Sequence, residues 1–303
     1  MIPREAIERM AVRAMACRFE VVLIGPDREA LCAAGEQALR EIEDCERRIS
    51  PFDPSSAISL VNREAAGRPV RVDSQTFEML VECRSLWQET RGAFDVTVGA
   101  WMRARGFRGE PSREPAAGGM DQVELDPGSR TVRFRRKGIE IDLGGIGKGV
   151  ALDLAAETLR ESGVRCALLH GGTSTALAIG APLGTRGFGV QLGLDNGGPT
   201  VRLAGSALSC SARRGRTKGP RSHLLDPRTG DDAPADCETA CVLAASAAEA
   251  DAWSTALAVD PSLAPPAGIG FLLLGSDGCW SARGDRRSAV DFPRETRSVV
   301  GPS

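Results

Sequence analysis

The stretch from residue 165 to residue 211 most constrains the fold, because strand-like segments follow one another there without a helical segment between them. The segments are 165–170, 174–180, 187–193, 200–204 and 206–211. A regular βαβ chain would place a helix between successive parallel strands, whereas short turns join antiparallel strands. The sequence therefore predicts an α+β fold, with a mainly antiparallel β-sheet core and surrounding helices.

Hydrophobic spacing predicts the other elements. The expected strands include 12–25, 139–143 and 237–245, and the expected helices include 28–48, 75–90 and 150–162. Ser74 is the expected cap of the helix at 75–90. Because neither a repeat nor a linker is visible, we expect a single domain over 1–283. Residues 284–303 are polar, and we expect a poorly ordered tail there.

The charge balance excludes several classes of partner. A net charge of -2 over 303 residues gives no electrostatic reason to bind nucleic acid or an anionic membrane. No stretch approaches the roughly 18 apolar residues of a membrane span, and the N-terminal residues form no apolar signal region. Nine cysteines, an odd number without tight spacing, indicate unpaired thiols rather than a disulfide framework or a zinc site. We expect a soluble, cytoplasmic protein without membrane insertion.

A helix is expected to begin at Ser246, because Ser246 and Glu249 fit a capping box. Asp251 and Thr255 then lie one turn apart on the same face, with Ser254 beside them. A carboxylate and hydroxyls near a helix N-terminus are hard oxygen ligands of the kind that Mg2+ or Ca2+ takes. The same spacing is compatible with an Asp251 that merely favours the positive end of the helix dipole, and with hydroxyls that face water.

A glycine-rich loop, Gly144–Gly149, lies between the expected strand at 139–143 and the following helix. Strand, glycine loop and helix together present backbone N–H groups and a helix dipole to an anion. The loop is not a P-loop, because Asp142 and Gly149 stand where that motif has glycine and Ser or Thr. Lys148, one of only three lysines, either contacts a phosphate or pairs with a carboxylate such as Asp142.

Seven segments in order resemble the ApbE family of FAD:protein FMN transferases. They span roughly residues 15 to 275 and are Met15–Cys17, Ser50–Asn62, Gly92–Gly99, Asp142–Gly149 with Asp153, the Gly171-Gly172 turn, His223–Gly230 and Ala250–Leu257. The resemblance implies an ApbE-like, T-fold-related architecture, with the flavin site between two subregions of the domain. It also implies FAD as substrate, Mg2+ or another divalent cation, and an acceptor flavoprotein carrying a target threonine.

The resemblance also implies roles for individual residues. The metal ligands would be Asp251, Thr255, Ser254 and the carbonyl of Gly147. The flavin pocket would be formed by Met15, Phe52, Ala93, Phe94, Asp95, Gly144, Val150 and Leu225. His223 would lie near the reacting pyrophosphate, and it or a nearby carboxylate would act as the base, although a histidine that bonds a turn carbonyl is the plain alternative. Lys148 would hold the diphosphate or fasten the loop to Asp142.

The chain departs from the family pattern at three places: Ala16-Cys17 replaces Gly-Thr, Thr173 replaces Asp, and Cys210-Ser211-Ala212 replaces Thr-Ser-Gly. We expect these changes to affect the substrate side more than the metal side.

The implied reaction transfers FMN from FAD to threonine and releases AMP. Three alternatives remain open at this stage: hydrolysis of FAD to FMN and AMP, non-catalytic FAD binding, and a thiol hydrolase that uses Cys210 with His170 or His223.

Overall fold

The structure is a computed structural model that describes residues 5–108, 118–193, 198–213, 217–218, 221–292 and 298–300. Its strands are β1 Ala6–Ala14, β2 Cys17–Gly25, β3 Val70–Arg71, β4 Val123–Asp126, β5 Thr131–Phe134, β6 Cys166–Gly171, β7 Thr175–Ile179, β8 Phe188–Gln191, β9 Thr200–Leu203, β10 Ala207–Ala212, β11 Thr217–Lys218, β12 Arg221–Ser222, β13 Cys237–Ala244, β14 Gly270–Gly275, β15 Trp280–Gly284, β16 Val290–Asp291 and β17 Ser298–Val300. Its α-helices are α1 Arg28–Ile49, α2 Ala57–Glu64, α3 Ser74–Glu89, α4 Gly99–Ala104, α5 Gly147–Glu161 and α6 Ala247–Val259, and short 3-10 helices lie at Met120–Gln122 and Arg287–Ala289.

A large sheet carries the fold, in the order β1-β2-β6-β7-β10-β13-β14-β15-β17. Every neighbouring pair in it is antiparallel except β15 with β17. Two smaller sheets, β16-β9-β8 and β3-β5-β4, and the pair β11-β12 complete the described strands. The predicted α+β fold with a mainly antiparallel core is confirmed.

Helices α1, α5 and α6 cover one face of the large sheet, and α6 lies on β10 and β13. A second apolar cluster joins the opposite face to β8 and β9, through residues such as Leu208 and Val201. All five residues of β7 are therefore buried. No helix in the described ranges combines the length and apolar character needed to cross a membrane.

The segment predicted as one strand over 12–25 is wrong, because it is a hairpin. Strands β1 and β2 pair residue by residue from Ala6 with Gly25 to Ala14 with Cys17. Met15 and Ala16 form the turn with φ of 51° and 57°, the sign of a type I′ turn. Neither residue is the Gly, Asn or Asp that usually marks such a turn, so the hydrophobic alternation of the sequence was interpreted as one continuous strand. The Met15 N–H donates to a carboxylate oxygen of Glu46 at 2.6 Å.

Two further predictions are corrected. Residues 139–143 form an isolated bridge between Glu140 and Val98 and not a strand. The side-chain amide of Asn62 satisfies both backbone groups of Ile141, at 2.6 and 2.9 Å, in place of a neighbouring strand. Asp73 caps α3, accepting from the Thr76 N–H at 3.0 Å, and the expected cap Ser74 is the first helical residue.

Part of the segment expected to be a poorly ordered tail has regular structure. Residues 287–289 form a 3-10 helix, and β16 pairs with β9. β17 pairs in parallel with β15. Residues 293–297 and 301–303 lie outside the described residues.

Asp95 anchors the buried segment that precedes α4. Its Oδ1 accepts from the N–H and the hydroxyl of Thr97, both at 2.7 Å, and the Thr97 hydroxyl oxygen accepts from the Gly119 N–H at 2.7 Å. Burial raises the pKa of the Asp95 carboxyl to about 6, although the two bonds from Thr97 oppose the rise.

Asp95→Asn should flatten the dependence of stability on pH. Because the folded-state pKa is raised, the native protein binds more protons than the unfolded chain between about pH 4 and 6, and the free energy of unfolding falls as the pH rises through that window. We expect the wild type to lose about 2 kcal/mol more than Asp95→Asn between pH 4 and 7, measured by urea unfolding. The exposed Asp236→Asn should keep the wild-type slope; equal slopes in Asp95→Asn and wild type would contradict the assignment.

The crossing of α5 and α6 depends on the absence of a side chain at Gly149. A Cβ there would overlap the Ala247 carbonyl and lie 2.6 Å from the Cα of Ala248. The N-terminal turns of the two helices are therefore in direct backbone contact.

Gly149→Ala should destabilise the protein by about 1–3 kcal/mol, because the added methyl group has to displace backbone. Urea unfolding measures the change. Gly67→Ala is the matched control, since its nearest neighbour would be the Glu64 carbonyl oxygen at 3.6 Å and it should shift stability by less than about 0.5 kcal/mol. Equal effects of the two substitutions would contradict the tight crossing.

Candidate functional site

Helix α6 begins at Ser246, as the sequence predicts, and α5 fixes that beginning. The Ser246 hydroxyl oxygen accepts from the Glu249 N–H at 3.2 Å. The carboxylate of Asp153 on α5 accepts from the N–H groups of Ala247 and Ala248 at 2.9 and 2.8 Å, and from the Ser246 hydroxyl at 2.7 Å. Burial nevertheless leaves the pKa of Asp153 raised. Asp153 thus holds the two helices in one register.

Asp251 lies on the first turns of α6 with its carboxylate turned toward α5 and β10. The residue is 2% exposed. Its Oδ1 accepts from the Ser209 hydroxyl at 2.9 Å, and its Oδ2 accepts from the Gly149 N–H at 3.3 Å. The Lys148 ammonium lies 3.4 Å from Oδ1 and 3.3 Å from Oδ2. A buried carboxylate therefore sits at the N-terminus of α5, where the helix dipole favours negative charge.

The hydroxyls of Ser254 and Thr255 lie beside this carboxylate but do not converge on it. Both donate to the backbone carbonyl of Asp251, at 2.9 and 3.1 Å. The Ser211 hydroxyl lies 2.9 Å from the Ser254 oxygen and 3.3 Å from the Thr255 oxygen. A row of hydroxyl oxygens thus runs between α6 and β10.

The glycine loop packs against α6 at Thr255. A Cβ on Gly145 would lie 3.4 Å from the Thr255 hydroxyl oxygen and 3.5 Å from the Phe94 ring. A Cβ on Gly147 would lie 3.8 Å from the Met15 sulfur. The loop therefore brings the predicted flavin residues Met15 and Phe94 to the edge of the predicted metal set.

The chemistry of the predicted donors suits a cation that prefers oxygen, and that they hold one together stays a prediction. They are the Asp251 carboxylate, the hydroxyl oxygens of Ser254 and Thr255, and the backbone carbonyl of Gly147 at the start of α5. Within the described part of the chain, no group of three or more His, Cys, Asp or Glu side chains could hold a metal. One carboxylate with neutral oxygens suits Mg2+ rather than zinc. The Lys148 ammonium would have to move for a cation to reach Asp251.

Phe52 connects to the glycine loop through a chain of contacts. Phe52 is 69% exposed, and the centre of its ring lies 6.0 Å from the guanidinium of Arg108. Arg108 is buried and pairs with Asp142 at 3.3 Å. Asp142 accepts in turn from the Gly144 N–H at 2.8 Å. An exposed aromatic face beside an arginine suits stacking of a planar ring.

The loop that carries His223 and Leu225 is fixed to α4. Arg105, which follows α4, donates to the carbonyls of Ser222 and Gly230 at 3.3 and 2.7 Å. His223 is half-buried at one end of this span, and Leu225 is buried. Ala93, Phe94 and Asp95 are buried in the segment before α4, and Val150 is half-buried on α5. That any of these residues contacts a flavin stays a prediction.

In the structure Lys148 pairs with a carboxylate, and its contact with a phosphate stays a prediction. It pairs with Asp251 from 103 residues away, and Asp142, the carboxylate suggested by the sequence, pairs with Arg108 instead. The pattern of residues near Asp142 could not identify the pairing, because Asp251 reaches Lys148 only through the packing of α6 on α5.

The sequence predicted no role for three residues of the candidate site. Ser209 and Ser211 on β10 support Asp251, Ser254 and Thr255, and Thr175 on β7 lies 3.1 Å from the Ser209 hydroxyl. Spacing by two along a strand places Ser209 and Ser211 on one face, which was the available signal. Within the Cys210-Ser211-Ala212 segment, the residue that contacts the predicted metal set is Ser211, which matches the family pattern. Cys210 packs against the opposite face, and the expected effect of the departures on the substrate side stays a prediction.

Known proteins resemble this chain over most of its length. An FAD:protein FMN transferase of Rhodobacter capsulatus is 29% identical over 275 residues, covering 78% of this chain and 50% of that protein, so the chain spans half the length of this relative. An FAD:protein FMN transferase of Klebsiella pneumoniae is 25% identical, covering 82% of this chain and 77% of that protein.

Solved structures share the fold. The ApbE protein of Thermotoga maritima superimposes with a TM-score of 0.82 at 23% identity, covering 95% of this chain and all of that chain. The flavin transferase ApbE of Vibrio cholerae gives a TM-score of 0.76 at 22% identity, covering 93% and 98%. The model of the ApbE family matches residues 15–265. The resemblance drawn from seven sequence segments is thereby confirmed, and the chain belongs to the ApbE family.

Proposed function

We propose that this protein transfers FMN from FAD to a threonine of an acceptor flavoprotein and releases AMP, in a reaction that depends on Mg2+ or a similar divalent cation. The observation that carries the proposal is the buried Asp251 carboxylate, set at the N-terminus of α5 beside Lys148 and the glycine loop. The names of the relatives from Rhodobacter capsulatus and Klebsiella pneumoniae support the same reaction.

The chemistry requires charge stabilisation on a pyrophosphate. The threonine oxygen forms a bond to the FMN-side phosphorus, the P–O bond to the AMP phosphate breaks, and AMP leaves with the electron pair. The N-terminus of α5 and the Lys148 ammonium would stabilise the negative charge on the phosphates. A cation held by Asp251, Ser254, Thr255 and the Gly147 carbonyl would supply further neutralisation of that charge.

The flavin would lie between the α5–α6 end of the large sheet and the segments around α4. Met15, Phe94 and Gly144 would form the loop side of the pocket, since Phe94 lies beside Gly145 and Met15 beside Gly147. Ala93, Asp95, Val150 and Leu225 would complete the pocket wall, and Phe52 would stack on a ring with its exposed face. His223 would accept the proton of the attacking threonine hydroxyl.

Asp251→Asn should abolish cation-dependent transfer. The change keeps the shape of the side chain but removes the negative charge that would hold the cation, and we expect at least about a hundredfold loss of rate. The measurement incubates protein, FAD, Mg2+ and an acceptor flavoprotein, and then detects covalent flavin fluorescence after denaturation. Asp277→Asn, in the turn between β14 and β15, is the control and should keep wild-type rates.

The same incubation separates the alternatives. Release of AMP without labelled acceptor would indicate hydrolysis of FAD in place of transfer. FAD that binds but stays intact would indicate a non-catalytic binding protein. Cation-dependent cleavage of FAD by Asp251→Asn at the wild-type rate would contradict the assignment of Asp251 to the cation site.

The two histidines of the chain provide a matched pair of variants. His223→Ala should lower kcat by about 10²–10⁴-fold if this imidazole accepts the threonine proton. His170→Ala should leave kcat unchanged, because a Cβ on the next residue of β6, Gly171, would lie 3.6 Å from the Lys148 side chain, and alternation turns His170 to the opposite face. Equal kcat values for wild type and His223→Ala, measured at saturating FAD and acceptor, would remove His223 from the reaction.

A further inference from the structure

We propose that Ser209 is a positioning residue for the Asp251 carboxylate, and that Thr175 fixes the direction of the hydrogen bond that Ser209 donates. The proposal rests on the proposed function in one respect, namely that Asp251 holds the cation. It assigns a role to two hydroxyls on the large sheet that lie outside the proposed ligand set.

Ser209 makes the shortest contact of the Asp251 side chain. Its hydroxyl lies 2.9 Å from Oδ1, whereas the contacts from Gly149 and Lys148 are 3.3–3.4 Å. Hydrogen bonds between N–H groups and oxygen usually measure 2.9–3.0 Å, so the contacts from Gly149 and Lys148 are long ones, although the Lys148 ammonium also attracts the carboxylate by its charge. Ser209 is 0% exposed and lies on β10, between β7 and β13. The shortest contact of the carboxylate therefore comes from a neutral donor on a central strand.

The hydrogen inventory sets the direction of the whole chain of hydroxyls. A serine hydroxyl has one hydrogen, and Ser209 donates it to Asp251, which as a carboxylate can only accept. In the contact of 3.1 Å between Thr175 and Ser209, Thr175 must then be the donor. Ser174, 3.4 Å from the Thr175 oxygen, is in turn the donor to Thr175. The chain runs in one direction, from Ser174 to Asp251.

Because of this direction, rotation of the Ser209 hydroxyl away from Asp251 costs free energy. If Ser209 rotated, a buried carboxylate oxygen and the buried Thr175 hydroxyl would both lose a partner. Lys148, by contrast, has a side chain that is 22% exposed and can move to solvent or phosphate. When Lys148 leaves to admit a cation, Ser209 keeps Oδ1 in place.

The alternation of side chains along β10 explains why this strand contacts two groups of proposed ligands. Ser209 and Ser211 point to the α6 side, one supporting the carboxylate and the other the hydroxyls of Ser254 and Thr255. Cys210 between them packs into the cluster on the opposite face. A rigid central strand thus orients ligands that belong to a helix.

The test measures cation binding by the full chain without FAD. Isothermal titration with Mg2+, and electron paramagnetic resonance titration with Mn2+, should give dissociation constants about ten- to a hundredfold higher for Ser209→Ala than for wild type. Thr175→Val, which keeps the side-chain shape, should weaken binding by a smaller factor. The double variant should equal Ser209→Ala, because Thr175 acts only through Ser209.

A second readout separates positioning from general damage. In the transfer assay, Ser209→Ala should need more Mg2+ for half-maximal rate, while kcat at saturating Mg2+ stays near the wild-type value. Ser206→Ala is the matched control: Ser206 is also buried, lies just before β10, and should change neither constant.

Each outcome decides the proposal. Unchanged Mg2+ and Mn2+ affinities in Ser209→Ala, with wild-type binding intact, would overturn the positioning role and leave the proposed function standing. A fully additive double variant would overturn the role of Thr175. Wild-type protein that binds neither ion would overturn the cation dependence of the proposed function and the positioning role together. If Ser209→Ala fails to fold, Thr175→Val with unchanged cation affinity would overturn the proposal.

Discussion

Two helices whose N-terminal turns touch are the constraint on which this structure depends. The positive ends of the α5 and α6 dipoles meet where Gly149 lies against Ala247, an arrangement that is repulsive unless negative charge lies between them. Each helix supplies that charge to the other. Asp153 of α5 caps the N–H groups of Ala247 and Ala248, and Asp251 of α6 accepts from the Gly149 N–H.

This reciprocal pairing explains why stability and the proposed chemistry share residues. The Asp153 carboxylate accepts three short hydrogen bonds and stabilises the contact between the two helices. Asp251 is held by one short bond and several long ones, so it retains capacity for another partner. In the proposed function, a bare Asp251 would repel the FAD pyrophosphate. A divalent cation on Asp251 would reverse that local charge and free Lys148 for phosphate.

Local patterns predicted the parts of the site that lie within one element. The cap Ser246, the spacing of Asp251 and Thr255, and the glycine loop were readable because each depends on neighbours in sequence. The pairing of Lys148 with Asp251 spans 103 residues, and that of Ser209 with Asp251 spans 42. Such contacts follow from the order of strands and from the packing of α6 on β10, which no local period encodes.

The errors in the fold prediction have the same origin. The hydrophobic alternation of β1 and β2 gave no sign of the two-residue turn at Met15 and Ala16. The backbone of both residues is left-handed, but neither is a glycine that would have marked a turn in the sequence. The alternating segment at 139–143 resembled a strand, but Asn62 satisfies the backbone at its centre. In both places a distant partner decides the local conformation: Glu46 holds the Met15 N–H, and Asn62 holds Ile141. Met15 and the loop after Ile141 meet again at Gly147, so the segments that sequence patterns described least well are those that tertiary contacts bring together at the candidate site.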